Sequence, residues 1–96
     1  MPVPRRSPHD LYKLFASVKT EREATMLLLD ILTPAELASV AERWRLIQAL
    51  DAGMTQRDIN KKLKVSISKI TRGSHMLKHG SGGFAHFLKK LRTKKR

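Results

Sequence analysis

Residues 65–78, VSISKITRGSHMLK, combine short hydroxyl side chains with basic ones in a helix-like stretch. With Ile70 turned toward a core, helical spacing directs Ser68, Lys69 and Thr71 to other faces. Hydroxyl groups approach base edges or phosphates closely, and lysine supplies a charge-assisted contact to phosphate or to guanine acceptors. The segment therefore predicts a DNA-reading surface, with ordinary helix surface as the alternative.

Gly73 and its neighbour Arg72 are less well explained by a helix whose only role is to read DNA. A glycine inside a helix costs about 1 kcal/mol relative to alanine, which indicates that something approaches the backbone closely there. Arg43 lies in the preceding helical segment, and two guanidinium groups facing one gap would make a good receptacle for a carboxylate. Tight packing of two helices explains the glycine equally well, so both interpretations stay open.

Catalytic and metal-binding patterns are weak in this sequence. The chain has no cysteine, which excludes a disulfide framework and a thiolate metal site. His75 and His79 have the i,i+4 spacing that can hold a metal ion, but no third ligand of suitable type is close in sequence. No carboxylate pair, Ser/His/Asp set or phosphate-cradling glycine loop is present. We therefore predict no catalytic residues, no metal and no enzymatic activity.

The elements that position these residues are predicted to be helices, because nowhere do β-branched and polar residues alternate cleanly. Thr33-Pro34-Ala35-Glu36 is the strongest start signal, with a threonine N-cap, proline at the first helical position and glutamate at the third. A long helix begins there and stops at Gly53. Its predicted apolar side is Leu37, Val40, Trp44, Ile47 and Leu50. Further helices are predicted to start near Ser7, Thr20, Thr55 and Ser66.

The two short helices after Gly53 have the spacing of a helix-turn-helix. Counted from Gln56, that motif has a small residue in fifth place, a turn residue in ninth and aliphatic residues in tenth and fifteenth. Val65 and Ile70 fill the last two, whereas Asn60 stands where alanine is common and Lys64 where glycine is common. The pattern favours a DNA-reading corner, although such corners also occur as plain packing in helical bundles.

The net charge of +12 is concentrated in one half of the chain. Residues 1–10 contribute +1, residues 11–53 contribute −1 and residues 54–96 contribute +12. An excess confined to one segment is typical of a polyanion-binding surface, because each phosphate that is neutralised releases condensed counterions. A solvated basic face that only keeps the protein soluble is the alternative.

The size of the chain favours a protein that needs a partner subunit. Its 96 residues form one small domain with a modest core. Residues 24–32 are apolar nearly all round, which suits a helix buried between subunits. No stretch approaches the roughly 18 apolar residues that span a bilayer, and residues 1–10 lack the apolar run of a secretory signal. We expect a cytoplasmic protein with no membrane partner.

The stretch LTPAELASVAERWRLIQALDAGMTQRDINKKLKVSISKITRGSHMLK resembles the Trp repressor family. Its most specific piece is ITRGS, followed by a leucine and a lysine, at the right distance from MTQR and from the LTP helix start. The resemblance covers about residues 24–91. It implies a six-helix protomer interwoven with its twin in a homodimer, a helix-turn-helix that reads double-stranded operator DNA, and L-tryptophan as corepressor between the long helix and the recognition helix.

The family's tryptophan site is matched at four positions. In the family, Arg72 is expected to hold the carboxylate and Arg43 to stack on the indole, while Gly73 leaves room. Two other positions differ, because Lys69 stands in place of a pocket threonine and Met76 in place of a serine that helps to bind the ligand's amino group. Tryptophan, an analogue and no effector therefore remain alternatives. The predicted ligand-binding residues are Thr33, Arg43, Arg72 and Gly73.

The resemblance also implies a set of DNA-facing residues on the helix-turn-helix. Family members differ at these positions, as their operators do, so no operator sequence is predicted. Ile67 offers a methyl-bearing face for a thymine methyl, and Lys69 adds a cation that the best-known pattern lacks. The predicted DNA-binding residues are Gln56, Arg57, Asn60, Ile67, Ser68, Lys69, Thr71 and Lys78.

These observations predict a helical domain with two basic ends. Residues 1–6 would be a flexible basic arm, residues 7–91 the Trp-repressor-like domain with its helix-turn-helix at about 55–78, and residues 92–96 a basic tail. The function favoured is a tryptophan-responsive transcriptional repressor that binds a pseudo-palindromic operator as a dimer. The alternatives are a similar regulator with a different or no small-molecule effector, and a nonspecific nucleoid- or RNA-binding basic protein.

Overall fold

The computed structural model describes residues 8–94, and within this range the chain is helical apart from short connections. The described residues contain no strand, in agreement with the predicted all-α class. None of the helices in this range is long and apolar enough to cross a membrane. The six helices are α1 (His9–Ala16), α2 (Glu21–Ile31), α3 (Pro34–Asp51), α4 (Gln56–Leu63), α5 (Ile67–His79) and α6 (Gly83–Lys94).

Local hydrogen bonds set the predicted helix starts. The Thr33 hydroxyl accepts a bond from the Glu36 backbone N–H at 3.1 Å, and the Glu36 carboxylate accepts one from the Thr33 N–H at 2.8 Å, which is a complete capping box. Threonine or serine hydroxyls likewise cap α2, α4 and α5, at Thr20, Thr55 and Ser66. These predicted starts are confirmed.

The start of α1 differs from its prediction. The sequence pattern places Pro8 at the first helical position, but in the structure Pro8 is the N-cap and the helix begins at His9. No side chain among the described residues caps this helix, and the predicted cap Ser7 lies outside them. Proline suits this place because its missing N–H is one of those that a helix start leaves without a partner.

The chain divides into two compact units, Met1–Leu37 and Ala38–Arg96. In the first unit, α1 and α2 bury no residue, although both are rich in apolar side chains. Leu29, for example, is 62% exposed. The other exposed large apolar residues of these two helices are Leu11, Tyr12, Leu14, Phe15, Met26 and Ile31.

The second unit has a closed core around the helix-turn-helix. Ile59 of α4 and Ile70 of α5 are fully buried, and both pack with Leu46 of α3 and with Val65 of the turn. The inward positions predicted for Val65 and Ile70 are therefore confirmed. Also buried in this unit are Ile47 of α3, Leu88 of α6 and Gly73 of α5.

The predicted apolar side of α3 is only partly correct. Ile47 is buried as expected, but Val40 is 42% exposed, and Leu46, absent from the predicted side, is almost fully buried. Apolar residues are distributed all round α3, so spacing alone does not single out one face. Leu46 is buried because the α4–α5 corner packs on its side of the helix.

The turns on either side of α4 use left-handed backbone conformations. Gly53 has φ +91°, so it supplies the predicted stop after α3. Lys64, between α4 and α5, has φ 58° and ψ 36°, a conformation that glycine adopts more easily than lysine. Across the same turn, the Asn60 side-chain amide donates a hydrogen bond to the Val65 carbonyl at 2.7 Å. That bond fastens the end of α4 to the start of α5.

Candidate effector pocket and DNA-facing surface

A cavity of about 120 Å³ lies in the second unit, among α3, α5 and the start of α6. A cavity of roughly 150 Å³ is enough to hold a benzene ring, so this one has room for about one ring. The lining residues recur at three- or four-residue spacing on α3 and on α5, so each helix turns one face toward the cavity. They are Ser39, Glu42, Arg43, Leu46, Lys69, Arg72, Gly73, Met76 and Phe84.

Charge is distributed unevenly around the cavity. Arg43, Arg72 and Lys69 are the basic residues of the lining, and Glu42 is the acidic one. The Lys69 ammonium lies 3.1 Å from a Glu42 carboxylate oxygen. Lys69 is 62% exposed and Glu42 34%, so the pair stands at the mouth rather than in the interior. This arrangement favours an anionic group in the ligand, with an acceptor for a cationic group beside it.

The inner wall of the cavity is apolar. Leu46 is nearly fully buried, and Met76 and Phe84 complete the lining from α5 and α6. The Phe84 ring stacks on Trp44 with a centroid separation of 6.2 Å and an interplanar angle of 26°. Such aromatic pairs contribute about 0.5–1.5 kcal/mol beyond the area they bury. The stack therefore holds one wall of the cavity against α3.

Gly73 allows α5 to approach α3 closely. A Cβ atom at this position would lie 2.9 Å from Leu46 Cδ2 and 3.7 Å from Ile47 Cδ1. The first distance is too short for ordinary contact, and Leu46 is buried and confined. Close packing thus accounts for the glycine, and the same residue also borders the cavity. The packing interpretation is therefore confirmed, and the role of Gly73 in leaving room for a ligand remains a prediction.

The structure brings together three of the four predicted ligand-binding residues, because Arg43, Arg72 and Gly73 all line the cavity. The fourth, Thr33, belongs to the first unit, where it caps α3; its ligand role remains a prediction. Sequence reasoning missed some of the lining residues, although counting three or four positions from Arg43 along a helix leads to Ser39 and Leu46. The residues missed are Ser39, Glu42, Leu46 and Phe84.

The predicted DNA-facing residues are exposed, with one exception. Ile67, the first residue of α5, is 50% exposed, and the Ser68 hydroxyl lies 3.3 Å from that of the helix cap Ser66. Asn60 is half-buried, and its amide is bonded within the turn to Val65. Asn60 therefore has a structural role, and its contact with DNA remains a prediction. The exposed residues are Gln56, Arg57, Ile67, Ser68, Lys69, Thr71 and Lys78.

The histidine pair does not extend to a larger ligand set. The rings of His75 and His79 lie with centroids 5.1 Å apart on α5. Among residues 8–94, no group of three or more histidine, cysteine, aspartate or glutamate side chains could hold a metal ion. The pair is accordingly an exposed ring contact on one helix.

Part of the predicted basic C-terminal tail belongs to the last helix. α6 extends to Lys94, so residues 92–94 of the predicted tail are helical, and the Arg92 guanidinium donates to the Asp51 carboxylate. The predicted N-terminal arm, residues 1–6, lies outside the described residues. The arm and the tail remain predictions as separate segments of the chain.

An all-α fold with a helix-turn-helix corner and a charged cavity against its second helix defines a helix-turn-helix domain. The comparisons with known proteins give the family. A model of the family described as "Trp repressor protein" matches residues 7–92, and the chain belongs to that family. Its members are transcription regulators, so the prediction that the chain is not an enzyme is confirmed.

Curated relatives carry names that agree with this family. The chain is 41% identical over 86 residues to a Trp operon repressor homolog of Chlamydia caviae, covering 88% of this chain and 85% of the relative. It is 48% identical over 56 residues to one of Chlamydia trachomatis serovar L2, covering 57% and 60%. It is 38% identical over 77 residues to one of Actinobacillus succinogenes, covering 79% and 75%. No solved structure matches the chain significantly.

Proposed function

We propose that this chain is a tryptophan-responsive transcriptional repressor that binds a pseudo-palindromic operator in duplex DNA as a homodimer in the cytoplasm. One observation carries the proposal: the cavity lined by Arg43 and Arg72 borders the helix whose exposed start carries the predicted reading residues. A ligand in the cavity and a base pair beside α5 would thus act on the same element.

The surface of the helix-turn-helix supports DNA binding. The start of α5 exposes Ser68, Lys69 and Thr71, which offer hydroxyl groups and a cation, and Ile67 offers an aliphatic contact for a thymine methyl. Gln56 and Arg57 lie exposed at the start of α4, which in a helix-turn-helix crosses the DNA backbone. The charge of residues 54–96 strengthens attraction to any duplex, and the side chains on α5 supply selectivity.

The cavity supports a small anionic ligand with an apolar ring. Its size suits about one of the two fused rings of an indole, and the rest of an amino acid would lie toward the charged mouth. There the Arg72 guanidinium suits a carboxylate, and Arg43 suits stacking on an indole face. Both arginines are exposed, so both are accessible for such contacts.

The proposed mechanism is linkage between the two surfaces. A ligand held between α3 and α5 restricts the tilt of α5, so that both reading heads of a dimer match half-sites about one helical turn apart. Coupling of roughly 1–3 kcal/mol is a normal magnitude for such a switch. The unburied apolar side chains of α1 and α2 support the dimer, because a second chain would cover them.

A regulator with another effector, or with none, is the second candidate. Lys69 and Met76 favour it, since both line the cavity at positions where the resemblance expects a threonine and a serine. The Lys69–Glu42 pair already joins α5 to α3 without a ligand. A nonspecific nucleoid- or RNA-binding protein is the third candidate, and it would share only the charge.

Selection of bound sequences from random duplexes, with and without L-tryptophan, tests the proposal. We expect a pseudo-palindromic consensus that is enriched when L-tryptophan is present. Calorimetry should detect the heat of L-tryptophan binding to the protein. Arg72→Gln should abolish that heat, whereas Arg45→Gln, at an exposed arginine outside the cavity lining, should retain it. A consensus without an L-tryptophan effect would favour the second candidate, and no consensus with equal binding to RNA would favour the third.

A further inference from the structure

The Glu42–Lys69 ion pair connects the cavity with the DNA-facing surface. Both side chains line the cavity, and their charged atoms lie 3.1 Å apart. Lys69 is the third residue of α5, among the exposed residues that we predict to face DNA, and Glu42 directly precedes Arg43 on α3. The ion pair therefore links the cavity lining directly to the DNA-facing surface.

The chemistry of the cavity gives Glu42 a second possible partner. Arg43, Arg72 and Lys69 attract the carboxylate of an amino acid but repel its ammonium group. Met76 offers that ammonium group no hydrogen-bond acceptor beyond a thioether sulfur. Glu42 is the acidic residue among the lining side chains, so its carboxylate is the favourable place for the ammonium group.

The existing pair is easily exchanged for new partners. Both side chains are partly exposed, and ion pairs at such positions contribute little net free energy. DNA phosphate is a strong competitor for the Lys69 ammonium, and a ligand ammonium is a competitor for the Glu42 carboxylate. When either side chain binds its new partner, the other side chain loses its ion-pair partner. The second side chain then binds its own new partner more readily.

We propose that Glu42 accepts the ammonium group of an amino acid effector and thereby releases Lys69 to a DNA phosphate, so that the ion pair couples effector binding to DNA binding. The inference rests on the proposed function, since it takes the cavity to be the effector site. Linkage makes the coupling reciprocal: DNA that takes Lys69 raises the affinity of Glu42 for the effector by the same factor.

Glu42→Gln tests the coupling, with Asp51→Asn as its matched control. Both changes add one unit of positive charge and break an ion pair, but Asp51 pairs with Arg92 and does not line the cavity. The measurement is the ratio of duplex Kd values without and with L-tryptophan, on the duplex selected with L-tryptophan. Glu42→Gln should reduce this ratio roughly ten-fold, as expected for loss of a charge-assisted hydrogen bond, and Asp51→Asn should leave it unchanged.

Indole-3-propionate, which has the ring and the carboxylate but lacks the ammonium group, supplies a second comparison. Its affinity for the protein should not fall in Glu42→Gln, because the variant only removes a negative charge that repels its carboxylate, whereas the affinity for L-tryptophan should fall. An equal fall for both ligands would contradict the role of Glu42 and would indicate a general change in the cavity.

The other half of the inference is tested without effector. Glu42→Gln should bind a duplex about two- to five-fold more tightly than Asp51→Asn does, because Lys69 is already released. In a Lys69→Met background that difference should vanish. A gain that persists in the Lys69→Met background would overturn the exchange, since it could not then pass through Lys69.

These outcomes separate the inference from the proposed function. If the wild-type protein binds every duplex equally with and without L-tryptophan, both fail together. If the wild type responds to L-tryptophan and Glu42→Gln responds as Asp51→Asn does, the proposed function stands and the exchange at Glu42 is wrong.

Discussion

The two units of the chain use their apolar residues in opposite ways. In the second unit, side chains from α3, α4, the turn and α5 close a core in which Ile59 and Ile70 are fully buried. In the first unit, α1 and α2 carry leucine, methionine and phenylalanine side chains and bury none of them. Apolar content therefore does not identify a core, because burial depends on a second surface that faces the first.

The difference also separates two kinds of task. The helix-turn-helix and the cavity lie in the unit with its own core, where residues that must hold fixed distances are supported by packing. The apolar residues of the first unit are available to a second chain. Four substitutions test this contrast, beginning with the core.

Ile59→Ala should have the largest effect, a loss of about 2–5 kcal/mol in the free energy of unfolding, because it removes a fully buried side chain and leaves a cavity. Ile67→Ala is the matched control, with the same change of side chain at a half-exposed position. Urea denaturation measures both. Equal losses for the two variants would show that the corner lacks the closed core described above.

Gly73→Val should lower the free energy of unfolding by about 1–3 kcal/mol, because the new side chain collides with the buried Leu46. Thr71→Val, at an exposed position on the same helix, should change it by much less. Thermal unfolding of both variants provides the measurement. If Gly73→Val matches the wild type, α3 and α5 are not closely packed at this point.

Leu29→Ala tests the first unit. Within a single chain this exposed residue contributes little, but a second chain that covers it would make the change cost about 1–2 kcal/mol of dimerisation free energy. Sedimentation equilibrium should show a dimer dissociation constant raised about five- to thirty-fold. The control is Arg22→Ala, an exposed polar position on the same helix, which should change it less. An unchanged constant for Leu29→Ala would mean that a second chain does not cover this residue.

Lys64→Gly should have the smallest effect and the opposite sign. Removing a side chain from a left-handed position relieves strain, and the gain exceeds the added freedom of the unfolded chain, for a net stabilisation of about 0.5–1 kcal/mol. Lys62→Gly, within the last turn of α4, should instead destabilise the protein. Chemical denaturation of the pair checks the sign, and a loss at Lys64 would contradict the strained turn.

The sequence predicts the helix boundaries well where the signal is local. Thr33 bonds to Glu36 and Thr55 to Asp58, three residues along the chain in each case, so the pattern itself contains both partners. The turn at Lys64 is predicted for a similar reason, because the helix-turn-helix spacing places a turn residue at this position. Pro8 shows the limit of this approach, because proline fits the N-cap and the first helical position equally well.

The site is less predictable because its contacts join distant residues. Arg43, Arg72 and Gly73 are indicated by their residue types and by the family resemblance, but the Glu42–Lys69 pair joins residues 27 positions apart. No periodicity indicates that pair, since it depends on how α5 lies against α3. Leu46 illustrates the same point, because its burial follows from the packing of a corner that begins ten residues later.

The hydrogen bond from the Asn60 amide to the Val65 carbonyl limits the ways in which the corner can move. It closes a short loop between the two helices, so α4 and α5 move together. A rotation of α5 against α3 must then move α4 as well. The proposed contacts of α4 with the DNA backbone and of α5 with the bases would then follow the same movement.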